Sequence, residues 1–375
     1  MSDKVKKDYL EKLAELDTGK AQPLFHPYPV INIFREDEPL KEENKKEQST
    51  EEQLLSDVKG LICDTSETVK PQIKKNLELE GAGFLGDDDI FADTPKSPDF
   101  IIAMDSDASF LKYAVIRGCP ALKATYGLIS RYGMETDAPS LAQPAIGAEN
   151  ASMIARVLQA AAGVDKKDPM SRDAYIYEYL EALKDTDMTG MKIAILEEHP
   201  DMELDEMKLG CYNHILDVFE AKGADIETVK PEWVEYGLQI HEMIAACEKV
   251  MTADEIGMCL EEEEETFALG NYLLEEEHYE KYYLKALKMR SLIKDSYDML
   301  FRHYALFIIP YTGGTDPYSV AANLAGLPAM TLPYMSYDVM GDDAEVPEAG
   351  VHMIAGANYE NNLLKAAHVY EQEVL

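Results

Sequence analysis

Long hydrophobic runs are missing from this chain: no window approaches the roughly 18 uninterrupted apolar residues of a membrane-spanning helix. The opening residues, Met1-Ser2-Asp3-Lys4-Val5-Lys6-Lys7-Asp8, lack the apolar core of a secretory signal, so a cytoplasmic protein without membrane contact is expected. Cysteine is sparse, with residues at 63, 119, 211, 247 and 259 and no Cys-x-x-Cys spacing. An odd count without paired spacing points away from a disulfide framework and a thiolate zinc site, and the thiols read as buried packing groups. Neither a metal nor a cofactor is expected. Basic charge is short as well: 35 Lys and Arg face 71 Asp and Glu, for a formal net charge of -36. Such a surface repels a phosphate backbone, which argues against direct nucleic-acid binding. With 18 Pro and 22 Gly in 375 residues, and 46% hydrophobic residues, the composition excludes general disorder and suits one large α/β domain or a domain with an appendage.

What is present starts with an amphipathic helix, Val5 to Leu16, whose apolar stripe is Val5, Tyr9, Leu13 and Leu16 and which ends before Asp17-Thr18-Gly19. A strap follows from Pro23 to Glu38, too apolar for a free linker and too rich in proline for a helix. The mixed-charge run Lys41 to Glu52 reads as a solvated linker, which divides an arm, residues 1–50, from a body, residues 51–375. In the body, Val58 to Cys63 reads as a strand, Thr68 to Gly86 as an amphipathic helix with a glycine stop and a short strand, and Phe100 to Met104 as a strand. Residues 191–196, 209–222 and 224–229 have the pattern of a strand, a helix and a parallel strand. Further helices are expected at 151–163, 235–250, 291–302 and 359–373, and further strands at 305–310 and 351–354. His241 reads most simply as a surface or packing histidine.

Two blocks carry a resemblance. Leu122-Lys123-Ala124-Thr125-Tyr126-Gly127-Leu128-Ile129-Ser130-Arg131-Tyr132-Gly133 and Asp316 to Ala329 are similar to segments of the amidase-signature family, in particular the A-type component of tRNA-dependent amidotransferases. The helix ending in Leu-Asp-Thr, the strap and Phe34-Arg35-Glu36-Asp37-Glu38 resemble about the last half of the small C-type component of the same enzymes. The resemblance implies an amidase-signature fold, a mixed central sheet with helices on both faces, preceded by an extended helix-and-strap arm. In that family the arm clamps the A-type and B-type components together. Equally, the arm in this chain could cover its own body.

The same resemblance places the Ser-Ser-Lys catalytic residues. Ser109 falls on the nucleophile and Lys59 on the strand-end lysine that acts as base, although a lysine at a strand end is common in any fold. The Gly-Gly-Ser-Ser-Gly-Gly-Ser loop that carries the middle serine is missing, and so is the long connection after the lysine. In the family's Ser-Asp-Thr-Gly-Gly-Ser turn, Asp107 and Ala108 replace the two glycines, which removes Gly-specific dihedrals and brings a carboxylate to an oxyanion site. Glu265 and Thr266 fall on an arginine pair, one member of which holds the glutamine carboxylate. Asp316 falls on an aspartate for the substrate ammonium group, and is equally a helix cap before Pro317.

These substitutions imply a catalytically inactive C-A fusion (GatC-like arm, GatA-like body) that serves assembly or binding, linked to Glu-tRNA(Gln) or Asp-tRNA(Asn) amidation. Its expected partner is a B-type amidotransferase component or another translation protein, with tRNA held by something else. An active amidase using Ser109 with an altered relay, and a sensor that binds a small amine through Asp316, are the alternatives. The charge balance makes its own prediction. Repulsion among acidic groups is screened by salt, so the thermal midpoint should rise when NaCl is raised from about 0.05 M to about 1 M. A midpoint that falls would contradict a dispersed acidic surface.

Overall fold

A computed structural model describes residues 10–27, 54–56, 58–63, 70–85, 97–173, 178–197, 204–256, 265–334 and 348–374. Among these, ten strands form one sheet: β1 (Lys59–Ile62), β2 (Gly83–Phe84), β3 (Phe100–Asp105), β4 (Ala121–Lys123), β5 (Gln143–Ala148), β6 (Lys192–Leu196), β7 (Asp225–Val229), β8 (Leu306–Pro310), β9 (Ala329–Pro333) and β10 (Gly350–Ile354). Their spatial order is β2-β1-β3-β5-β4-β9-β10-β8-β6-β7. The middle, from β3 to β8, is antiparallel throughout. The flanks, β2-β1-β3 and β8-β6-β7, are parallel.

Successive side chains in a strand point to opposite faces, and the pairing register turns this into two separate cores. One row, Ile102, Ile146, Leu122, Met330, Met353, Ile308 and Ile195, crosses seven strands. It packs beneath helices α1 (Gln72–Leu79), α3 (Ala151–Ala161), α4 (Glu206–Ala221) and α9 (Glu360–Val374). The row one position on, Ala103, Ala145, Lys123, Ala329, Ile354, Phe307 and Ala194, faces the other way. There lie α2 (Ser109–Ile116), α5 (Gly237–Ile256), α6 (Glu265–Leu274), α7 (Leu284–Leu300) and α8 (Pro317–Ala325). Small residues in this second row let the helices approach closely, and Lys123 is its one charged member.

The expected strands and helices of the body are present, including the unit β6-α4-β7. No helix among the described residues is long and apolar enough to cross a membrane. Strands β4, β5 and β9, the centre of the sheet, are elements that periodicity does not reveal. β4 has only three residues, β5 and β9 mix Ala, Gly or Pro with their apolar residues, and β5 begins Gln143-Pro144, where a proline is tolerated near a strand start. The block Leu122 to Gly133 is explained by packing. Gly127 has φ 81, and a Cβ there would lie 2.2 Å from the Met170 carbonyl oxygen. Beside it Tyr126 is fully buried, with the Arg131 guanidinium 4.4 Å from its ring centre.

Within the described part of the arm, residues 10–15 are helical and the chain continues to residue 27 along the body. Leu10 and Leu13 are buried in the core under α5 and α7. The seam of Leu13 and Ala14 with Ile240, Met243, Tyr282, Ala286 and Met289 leaves no room for a water. The Leu24 N–H donates to the Leu287 carbonyl at 3.1 Å, and the Lys285 ammonium donates to the Leu16 carbonyl. Residues 10–27 therefore cover their own body; the rest of the strap and the linker, residues 28–53, lie outside the described residues.

A buried carboxylate ties the first core to pH. Both oxygens of Glu371, at 2.9 and 3.1 Å, accept the Ala151 N–H at the start of α3. Burial raises its pKa to about 7, with the neighbouring His368, 4.0 Å away, held below the ordinary histidine value by burial. The folded state thus holds a proton that the unfolded chain releases near 4.5, and stability falls as pH rises from about 4.5 to about 7. Glu371→Gln should flatten that fall by on the order of 3 kcal/mol, measured by urea unfolding across this range. An unchanged slope would show that Glu371 titrates normally in the fold.

Candidate functional site

Strand β3 ends at Asp105, and Ser106, Asp107 and Ala108 turn the chain into α2, of which Ser109 is the first residue. Ala108 has φ 64, the left-handed region that favours glycine. A side chain there costs on the order of 1–2 kcal/mol. The turn is closed by its own carboxylates. The Asp107 N–H donates to Asp105 Oδ1 at 3.2 Å, and the Ser109 N–H donates to Asp107 Oδ1 at 3.0 Å. The Ser106 carbonyl accepts from Nε2 of His241 at 2.6 Å, so that nitrogen carries the ring proton. His241 is buried on α5, and desolvation pushes it below the ordinary histidine value. Ser109 is exposed, and its hydroxyl has no hydrogen-bond partner among the described residues.

Beneath the turn lies a group of buried polar side chains. Lys123, on β4, is fully buried and donates to Asn323 Oδ1 at 2.5 Å. Burial lowers its pKa to about 8, against the opposing pull of Asp105, Asp107 and Asp316. Asp105 is fully buried and its pKa rises to about 6, desolvation outweighing the attraction of Lys123. Asn323 Nδ2 donates to the Asp105 carbonyl at 2.9 Å and the Leu141 carbonyl at 3.2 Å. His352, from β10, stands edge-on to Tyr311 with ring centres 5.6 Å apart, and burial holds its pKa below the ordinary histidine value. Lys123, Asn323, His241 and His352 carried no functional assignment in the sequence. A lysine within the apolar run Ala121-Leu122-Lys123-Ala124 was the available signal.

The expected site residues are not assembled together. Lys59 is the first residue of β1, not the last, and its N–H donates to Asp99 Oδ2 at 2.7 Å. Because β1 and β3 are parallel with Gly60 opposite Phe100, Lys59 stands where β3 begins. Ser109 follows where β3 ends, about 20 Å away at 3.3 Å per residue. No side chain of lysine length closes that gap. Asp316 caps α8: its Oδ1 accepts the Ser319 N–H at 2.7 Å, with Pro317 at the first helical position. It also faces Lys123 and His352 electrostatically, so capping and placement at the site coincide.

Glu265 is remote from the turn. Gly270 packs on Ala246 and Val250, while the chain after α6 reaches Ile240 and Met243 through Lys281 and Tyr282. Helices α5 and α6 are therefore antiparallel, and Glu265 lies toward the far end of α5 from His241, on the order of 18 Å along the axis. Outside this site, Glu275, Glu277 and His278 have side-chain atoms within 4.8 Å of one another. The two glutamates are exposed, and His278 Nδ1 already contacts the Tyr272 carbonyl at 3.0 Å.

Known proteins match most of this chain. The model of the family described as Amidase matches residues 113–321. The chain belongs to the amidase family. Residues 7–59 match the family of the C component of Glu-tRNA(Gln) amidotransferase. The A component of glutamyl-tRNA(Gln) amidotransferase from Lachnospira eligens is 30% identical over 313 residues, covering 72% of this chain and 63% of the relative. Its counterpart in Microcystis aeruginosa is 30% identical over 314 residues, with 72% and 64% covered. The chain thus spans a little under two thirds of the length of these relatives. Among solved structures, the A component of the Thermotoga maritima glutamyl-tRNA(Gln) amidotransferase has a TM-score of 0.69 at 21% identity, covering 84% of this chain and 83% of that one. The 6-aminohexanoate cyclic dimer hydrolase reaches 0.68 at 16% identity, with 85% of each chain covered. The amidase fold is shared across this range of sequences.

The buried lysine makes a direct prediction. Lys123→Met leaves Asp105 without its counter-charge and Asn323 Oδ1 without its donor, and should cost about 3–5 kcal/mol in urea unfolding. A loss under about 1 kcal/mol would mean the ammonium is not needed to hold the turn.

Proposed function

We propose that this amidase-family chain is a non-catalytic C-A fusion that serves assembly or binding in tRNA-dependent amidation. One observation carries the reading: the N–H groups of Asp107 and Ser109 in the turn already donate to the carboxylates of Asp105 and Asp107. An acyl-transfer site needs such amides free to meet a developing oxyanion, and losing one donor costs about 10²–10³ in rate. Here the acceptors in place are negative, and they oppose a second negative charge. Neither Lys59 nor Lys123 is placed to serve Ser109 as a base. Lys59 is at the other end of β3, and Lys123 is engaged with Asn323 in the interior while Ser109 faces solvent. An exposed serine hydroxyl without an adjacent base is a weak nucleophile at neutral pH.

The partner in this reading is a B-type amidotransferase component or another translation protein. It is supported by the similarity of residues 7–59 to the C component and of the body to A components. The net charge of -36 favours a protein partner over tRNA itself. Ammonia release from glutamine, asparagine and simple amides should stay at background for the wild type and for Ser109→Ala alike. Turnover that Ser109→Ala abolishes would establish the active-amidase alternative instead. Mixing the chain with a purified B-type component at low salt should give a co-eluting complex, and separate elution would sink the assembly role.

A further inference from the structure

We propose that the N-terminal arm is a strap coupled to the Ser106–Ser109 turn, so that seating residues 10–27 on the body orders the turn and lifting them loosens it. The coupling holds whether or not Ser109 turns over an amide. Its centre is Arg290 on α7, a fully buried guanidinium with acceptors from three parts of the chain. Nη1 donates to the Phe25 carbonyl of the arm at 3.0 Å and to Ser140 Oγ at 2.7 Å. Nη2 donates to the Ser140 carbonyl at 2.8 Å, and Nε to the Leu324 carbonyl at 2.8 Å. Across Ser140 lies Glu248, which accepts the Ser140 N–H at 2.8 Å and its hydroxyl, and balances the guanidinium charge.

From Arg290 the network reaches the turn in one further step. Its acceptors Ser140 and Leu324 are the chain neighbours of Leu141 and Asn323. Asn323 joins the Leu141 carbonyl to the Asp105 carbonyl, and Asp105 closes the turn by accepting the Asp107 N–H. Lifting the arm removes the Phe25 carbonyl from a buried cationic donor, and a buried donor left unmet is costly. With the arm lifted, water replaces the Phe25 carbonyl at Nη1, and the guanidinium's hold on Ser140 and Leu324 relaxes. Seated and lifted are thus two discrete arrangements of one hydrogen-bonded network, the kind of element that transmits coupling. By linkage, a ligand that orders the turn tightens the arm to the same degree, and a protein that captures the arm loosens the turn.

Leu10 and Leu13 hold the arm by apolar packing against α5 and α7 and make none of the network's hydrogen bonds, so substituting them releases the arm without altering a network side chain. Hydrogen exchange of the full chain carrying Leu10→Asp and Leu13→Asp should therefore show exchange at Asp107 and Ser109 faster by about tenfold or more, along with the arm amides. Amides of α9, on the opposite face of the sheet, should keep their wild-type rates. The reciprocal variant, Ser140→Ala in the full chain, should speed exchange of the Leu24 N–H. Turn amides at wild-type rates in the arm variant would overturn the coupling. So would an equal rise in the turn and in α9, which would be general destabilisation, or a Ser140→Ala variant whose arm is unchanged.

Discussion

A lysine ammonium with no exposed surface imposes order on everything around it. Lys123 stands in a row of alanines, an isoleucine and a phenylalanine, a place where an unpaired charge would cost far more than any nearby apolar contact returns. It persists because Asn323 accepts its hydrogen bond and Asp105 and Asp316 lie close enough to offset its charge. Helix α8 must therefore present Asn323 to β4, and its start must bring Asp316 inward. Strand β3 must end beside β5 so that Asp105 is delivered to the same interior. The Ser106–Ser109 turn is a consequence of that arrangement, since it begins at the residue whose carboxylate and carbonyl are both held from below.

In the proposed reading, this is how the architecture of an amidase survives without its chemistry. The groups that fold the site are Lys123, Asn323, Asp105, Asp316 and Arg290, all buried. The groups that would perform acyl transfer are a reactive serine, a base and free turn amides, and these depend on surface loops and on glycine conformations. Having Asp107 and Ala108 in place of glycines costs a little backbone strain at Ala108, while the Asp107 carboxylate satisfies the Ser109 N–H. The same substitution that occupies a turn amide supplies a helix-start hydrogen bond. The arm follows the same logic, being held by apolar burial at Leu10 and Leu13 and by backbone hydrogen bonds at Leu16, Leu24 and Phe25.

Much of the outline was legible from residue pattern. Buried runs such as Ile193 to Leu196 and Phe307 to Pro310 announce strands, and the Gly223 stop marks the end of a helix because local chemistry decides those boundaries. The central strands β4, β5 and β9 escaped because Ala, Gly and Pro carry little strand preference, and their extended form comes from pairing across the sheet. The similarity around Ser109 pointed to the turn as a place, but the lysine assigned to it stands too far away for contact. Lys59 and Lys123 are both lysines in short apolar stretches, and nothing local says which end of which strand each occupies.

By itself the sequence determined composition, charge, the family and the residue types of the turn, with Asp107 and Ala108 where the resemblance leads one to expect glycines. These are properties of residue identity and need no neighbours. Tertiary structure decided that Lys59 and Ser109 stand at opposite ends of β3, that the turn amides are already hydrogen-bonded, and that the arm lies against its own body through Arg290. Each of these depends on which residues distant in the chain are brought within a few ångströms. Strand register and helix direction set those distances, and both are fixed by packing the whole sheet between its two cores.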